Sequence, residues 1–233
     1  MEEERKVRRT SVGECKFCHG TFGKGGMARH LESCPQRRVA LETAAAAPKA
    51  KKERLFHLVA AGRGASEYWM HLEMPSRMTL EDLDGFLRDT WLECCGHLSA
   101  FKIAGRTYMS AGGAGMDGLS DRTMRYALDR VLSPGTSFLH EYDFGSTTEL
   151  ALKVASERVG VALEKGIVKM AVNLPPDIRC DECGAVATQV CTQCMWEGDG
   201  WLCDKCAEEH ECGEEMLLPV VNSPRVGMCG YTG

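Results

Sequence analysis

The stretch LFHLVAAGRGASEYWMHLEM, residues 55–74, decides the fold class. Two strand-length apolar runs, LFHLVAA (55–61) and EYWMHLEM (67–74), flank the glycine-rich turn GRGAS and read as paired strands. Pro75 ends the second strand. The following segment, SRMTLEDLDGFLRDTWLECC, predicts a helix. Thr79 can cap it, Glu81 and Asp82 complement the dipole, and Leu80, Leu83, Leu87 and Trp91 share a face. HLSAFKIAG and RTYMS read as another hairpin, GGAGMDGLS as a loop and SDRTMRYALDRVLS as a short helix. TSFLHEYDF and TTELALKVASE read as strands joined by a turn at Gly145-Ser146. This order of elements implies an α+β domain over residues 55–172, with a largely antiparallel sheet and helices on one side.

Charge divides the chain further. Residues 1–54 hold 13 Lys/Arg against 7 Asp/Glu, whereas residues 173–233 hold 3 against 11. Expected units are therefore a basic module (1–40), a linker (41–54, ETAAAAPKAKKER at its core), the α+β domain, and an acidic cysteine-rich module (173–233). No apolar run suits a membrane span, and MEEERKVRRTS lacks the apolar core of a secretory signal. The expected compartment is cytoplasmic, where structural disulfides are rare, so the 13 cysteines point to metal.

In the basic module, Cys15, Cys18, His30 and Cys34 form Cys-x2-Cys-x11-His-x3-Cys. A Cys-x-x-Cys knuckle aims two thiolates at one ion, and a His and a Cys four apart on a helix share a face. Four such ligands in a tetrahedron suit zinc. Phe22 and Leu31 are the expected apolar core, and Pro35 the end of the helix MARHLESC. The pattern resembles the Cys-Cys-His-Cys variant of the small zinc finger. Lys16, Lys24, Arg29, Arg37 and Arg38 surround it and suggest nucleic-acid contact through phosphates.

In the acidic module, Cys180, Cys183, Cys191, Cys194, Cys203, Cys206, His210 and Cys212 supply eight ligands, the number for two tetrahedral zinc ions. With the finger this predicts about three zinc ions per chain. The run resembles a B-box-type zinc-binding domain. That resemblance implies a cross-brace, with Cys180, Cys183, Cys203 and Cys206 on one ion and Cys191, Cys194, His210 and Cys212 on the other. Sequential pairing is the alternative, and Cys229 could replace Cys212. Val190, Trp196 and Trp201 are the expected core, and MLLPVV (216–221) is expected to pack back on the α+β domain as a strand. Its acidity makes this module a candidate for protein contact rather than phosphate binding.

TLEDLDGFLRDTW, GHLSAFKI and FLHEYDFG, with a helix between the last two, resemble the plasmid pRiA4b ORF-3-like family, also met as a passenger of insertion elements. The resemblance covers about residues 54–160 and implies a compact α+β domain without a defined activity. Its sharpest matches are Thr79, Leu80, Leu83, His97, Leu98, Phe101, Tyr142, Asp143, Phe144 and Gly145. The family's Asp-x-Trp-x-His continuation is replaced by Ser146, Thr148 and Leu150, and a second His by Ser99. No recombinase signature accompanies it.

The expected function is a non-enzymatic zinc-binding adaptor linked to mobile elements. The alternative is a hydrolase or nucleic-acid-processing enzyme whose cleft gathers His97, His140, Glu141, Asp143 and Glu149. Cys94 and Cys95 are expected to pack as small apolar side chains, with a vicinal redox pair as the alternative.

Overall fold

The computed structural model describes residues 11–111 and 122–233. The elements in chain order are β1 (Val12–Cys15), β2 (Thr21–Gly23), α1 (Lys24–Ser33), α2 (Pro35–Ala45), β3 (Lys52–Gly62), β4 (Trp69–Pro75) and α3 (Leu80–Leu87). They continue with β5 (Ser99–Ile103), β6 (Arg106–Met109), β7 (Ser137–Tyr142), β8 (Thr148–Val161) and β9 (Val168–Asn173). The last are β10 (Gln189–Cys191), β11 (Trp201–Leu202), α4 (Asp204–Glu208) and β12 (Leu217–Pro219). A nine-stranded antiparallel sheet runs β2-β1-β9-β4-β3-β8-β7-β5-β6, and a three-stranded sheet runs β11-β10-β12. The chain is thus α+β around a large antiparallel sheet.

The residue 55–74 hairpin forms the middle of that sheet, with Leu58 opposite Leu72 and Ala60 opposite Met70. One face of β3 and its neighbours carries Phe56, Leu58, Met70, Leu72, Leu150, Leu152 and Val154, all buried. Against them α3 lays Leu80, Leu83 and Leu87, followed by Trp91 and Leu92 on a π-helical turn. A reciprocal capping box starts α3: Thr79 Oγ1 accepts from the Asp82 amide, and Asp82 Oδ2 accepts from the Thr79 amide.

The opposite face is covered at one end by α1, whose Met27 and Leu31 pack with Trp69, Met170 and Ala171. The basic module is therefore continuous with the sheet, because β1 pairs with β9. Gly13 makes this possible: a Cβ there would stand 2.4 Å from the Val172 carbonyl oxygen and 2.5 Å from the Trp69 ring. Trp69 Nε1 in turn donates to Ser11 Oγ at 2.8 Å.

Pro35 ends α1 as expected and also opens α2, at the first helical position where its missing N–H costs nothing. Three local expectations are corrected. The expected linker 41–54 is helical to Ala45 and strand from Lys52. The expected helix in SDRTMRYALDRVLS is reduced, among its described residues, to one 3-10 turn at Leu128–Arg130. Its backbone bonds elsewhere: Tyr126 and Met124 carbonyls accept from the Leu80 and Glu81 amides, and the Leu128 amide donates to Met78. MLLPVV supplies β12, which pairs with β10 rather than with the large sheet, although Leu218 and Val221 do pack against the main core. The expected loop GGAGMDGLS lies outside the described residues.

Candidate metal centres

The first centre forms where β1 ends. The knuckle is closed by the Cys15 amide donating to Gly20 at 3.0 Å, with the Gly20 amide 3.4 Å from Cys18 Sγ. α1 then delivers His30, whose Nε2 lies 3.2 Å from Cys18 Sγ, and Cys34 follows its last residue. The Phe22 ring stacks on His30 with centroids 4.0 Å apart, and Leu31 is buried beneath. The ligand atoms of Cys15, Cys18, His30 and Cys34 all lie within 4.8 Å of one another.

The acidic module carries two more such groups, and they interleave. Cys180, Cys183, Cys203 and Cys206 form one, and Cys191, Cys194, His210 and Cys212 the other. Cys183 and Cys203 thiols are 3.6 Å apart, and Cys194 Sγ is 3.5 Å from both His210 Nε2 and Cys212 Sγ. Gly184, at φ 73°, turns the first knuckle and donates to the Cys180 carbonyl. Gly200 permits close crossing: a Cβ there would meet the Met195 amide nitrogen at 2.4 Å. Val190 is buried in the main core, with Trp201 packed against it, but Trp196 is 70% exposed and is no part of any core. The buried centre of the module is Cys180, Cys191, Leu202 and Ala207.

These spacings fit a tetrahedral thiolate site. Ligands about 2.3 Å from a zinc ion stand roughly 3.8 Å apart along a tetrahedron edge. Electrostatics also ask for a cation. Hydrogen bonding to Cys183 and Cys203 pushes the Cys206 thiol up to about 12, and Cys212 does the same to Cys194. Cys180 goes the other way, to about 6: burial opposes its ionisation, but the amides of Cys203, Cys183 and Glu182 outweigh it. In each group one thiolate thus forms readily, Cys180 or Cys191, while Cys183 and Cys206, or Cys194, resist joining it. A bound divalent ion removes that repulsion.

A fourth group was not legible as a motif. Cys94, Cys95, His97 and Cys229 also bring one ligand atom each within 4.8 Å of the others. Cys229 stands in this group rather than in the place of Cys212, and Cys94 packs against the main core as expected, whereas Cys95 is exposed. The sequence signals are that Cys94 and Cys95 belong to no ligand series and that Cys229 enters one only as the alternative to Cys212.

Most of the groups considered for a catalytic cleft are spent separately: buried His140 bonds Asp84 at 2.7 Å, Glu141 pairs with Lys102, and Glu149 with Arg63. His97 and Asp143 do meet, with Nε2 3.6 Å from Oδ2, and Asp143 also pairs with Arg225. The basic residues of the finger divide as well. Arg29 and Arg38 are exposed, Lys24 is half-buried, and Lys16 pairs with Glu164. Arg37 faces inward instead, donating to Glu73 Oε2 at 2.7 Å and to the Leu31 carbonyl. It is drawn there because Glu73 is buried and needs cationic partners.

No helix among the described residues is long and apolar enough to cross a membrane. No family model matches the sequence, and no curated protein matches it. Among solved structures, a protein of unknown function, MM3350 from Methanosarcina mazei Go1, is similar at 19% identity with a TM-score of 0.41. The match covers 53% of this chain and 70% of that one.

Proposed function

We propose that this protein is a non-enzymatic zinc-binding adaptor. Its sheet is a scaffold of the pRiA4b ORF-3-like kind, and its ends are binding surfaces. The observation that carries the reading is the assembly of Cys15/Cys18/His30/Cys34 and the two interleaved groups of the acidic module at tetrahedral spacing. Zinc is the ion these donors suit, since thiolate and imidazole ligands without carboxylates favour it over hard cations. The segment 180–216 has short strands and a small buried centre, so metal supplies most of its folding free energy. His140, Glu141 and Glu149 each pair away from His97 and Asp143, and that dispersal supports a scaffold rather than a hydrolytic cleft.

Exposed Arg29 and Arg38, with Lys24 beside them, are the candidate phosphate contacts, and the acidic module is the candidate protein-binding end. Removing residues 1–54 would dismantle the sheet edge, so the test is charge neutralisation. Lys24→Gln/Arg29→Gln/Arg38→Gln in the full chain should weaken binding to duplex DNA or RNA and flatten its salt dependence. Unchanged affinity and slope would remove nucleic acid from the proposal. Elemental analysis of protein purified with reductant tests the metal: zinc absent, with knuckle cysteines oxidised, would overturn it.

A further inference from the structure

We propose that Cys94, Cys95, His97 and Cys229 form a fourth metal site, an exchangeable one for a thiophilic divalent cation, closed by the C-terminal tail. The geometry is that of the other three. Cys95 Sγ lies 3.6 Å from Cys94 Sγ, 3.8 Å from Cys229 Sγ and 2.9 Å from His97 Nε2, and His97 Nε2 lies 3.3 Å from Cys229 Sγ.

Both sides of the site are held by contacts that need no ion. After the π-helical turn, the Tyr142 hydroxyl donates to Glu93 Oε1 at 2.9 Å and accepts from the His97 amide at 3.3 Å. The Gly96 amide, on a residue at φ 80°, donates to the same carboxylate oxygen and turns the loop so that Cys94, Cys95 and His97 converge. On the tail, Ser223 Oγ donates to the Trp91 carbonyl at 2.6 Å. Fully buried Arg225 donates to Asp143 Oδ2 at 2.8 Å, Thr148 Oγ1 at 3.0 Å and Cys94 Sγ at 3.3 Å. Cys229 itself sits at φ 48°, a costly backbone for a side chain with a Cβ, and that conformation sets its thiol facing Cys95. Arg225, already paired with Asp143, also donates to Cys94 Sγ, a charge-assisted contact that favours Cys94 as a thiolate ligand.

Exposure separates this site from the others. Each of the other three buries at least one thiol, at Cys15 and Cys34, Cys180, or Cys191. Here Cys95 and Cys229 are exposed, and Cys94 and His97 only half-buried. Solvent, a chelator or an accepting protein can reach the ion directly. The site also lacks the Cys-x-x-Cys knuckle of the other three and uses adjacent cysteines. It is therefore suited to gaining and losing metal while the other centres stay loaded.

The full chain, loaded with zinc under reductant, is compared with Cys229→Ser and Cys95→Ser by elemental analysis and by release to a weak chromogenic chelator. Wild type should carry one more equivalent than either variant, and that equivalent should leave in a fast phase the variants lack. Cadmium added to chelator-treated wild type should restore one thiolate charge-transfer equivalent, absent in the variants. Equal metal content and identical release in wild type and both variants would overturn the proposal. So would a Cys95–Cys229 disulfide persisting under reductant. The readout is a difference of one equivalent, so it stands apart from the adaptor reading: loss of metal at the other three centres lowers all totals together.

Discussion

Glu73 is the most informative single residue to remove. Its side chain is 3% exposed, and its carboxylate accepts from Arg37 Nη2 at 2.7 Å and Arg158 Nε at 2.8 Å. The triad fastens α2 to β4 and β8, and so holds the basic module against the sheet. Glu73→Ala leaves two guanidiniums facing each other without an anion, Arg37 only 11% exposed. Breaking a buried pair this way costs about 3–5 kcal/mol. For a chain of this length that lowers Tm by roughly 10 °C. Arg37→Met should cost less, about 1–3 kcal/mol, because Arg158 still satisfies Glu73. The double variant should then lose less than the sum of the two, with a coupling of about 1–3 kcal/mol. Urea unfolding of the metal-loaded proteins, followed by tryptophan fluorescence, measures all four corners of the cycle. Additive losses, or a Glu73→Ala change within about 0.5 kcal/mol of zero as at an ordinary surface site, would refute the argument. The pH dependence has a fixed sign. Burial raises the Glu73 pKa, but Arg158 and Arg37 outweigh it and hold the carboxyl below its ordinary 4.5. Its contribution is present at neutral pH and is lost as pH falls below that value, and Glu73→Ala should lack this loss.

Further expectations concern other layers of the structure. His57 Nε2 and His71 Nδ1 share a 2.8 Å hydrogen bond in the interior, and burial lowers both to about 4. The unfolded chain binds these protons first, so stability should fall as pH drops from about 6.5 towards 4. A His57→Gln/His71→Gln variant should show a shallower slope in urea titrations across that range, and an unchanged slope would exclude the pair as its source. Gly13→Ala should cost about 1–3 kcal/mol by driving a Cβ into Val172 and Trp69, read as a lower urea midpoint and a shifted tryptophan spectrum. Cys191→Ser should release one metal equivalent and open the acidic module to protease while β3–β8 stays resistant, and a nick-free module would show that metal does not hold it.

Legibility followed the range of the interactions. β8 was readable because its alternation of buried Leu150, Leu152 and Val154 with exposed Ala151, Lys153 and Ala155 follows the two-residue strand period. α3 was readable from Thr79, its acidic first turn and its leucine face, all within a dozen residues. Residues 122–130 carried a helix-like composition but spend their backbone groups on Met78, Leu80 and Glu81, and no local pattern records that competition. Arg37 looked like a phosphate contact because its neighbours are basic, and its actual partner is 36 residues away.

By itself the sequence determined where metal donors can pair locally. A Cys-x-x-Cys knuckle is a property of four consecutive residues, so Cys15/Cys18, Cys180/Cys183, Cys191/Cys194 and Cys203/Cys206 could be read directly. It also determined the antiparallel α+β class through strand alternation and one capped helix. Only the tertiary structure decided which knuckle meets which, that Cys212 completes the second acidic-module group, and that Cys229 reaches His97 across 132 residues. Joining positions so far apart depends on how the intervening sheet positions them, through Arg225 on Asp143 and Ser223 on Trp91. The spacing of residues along the chain carries no record of that placement.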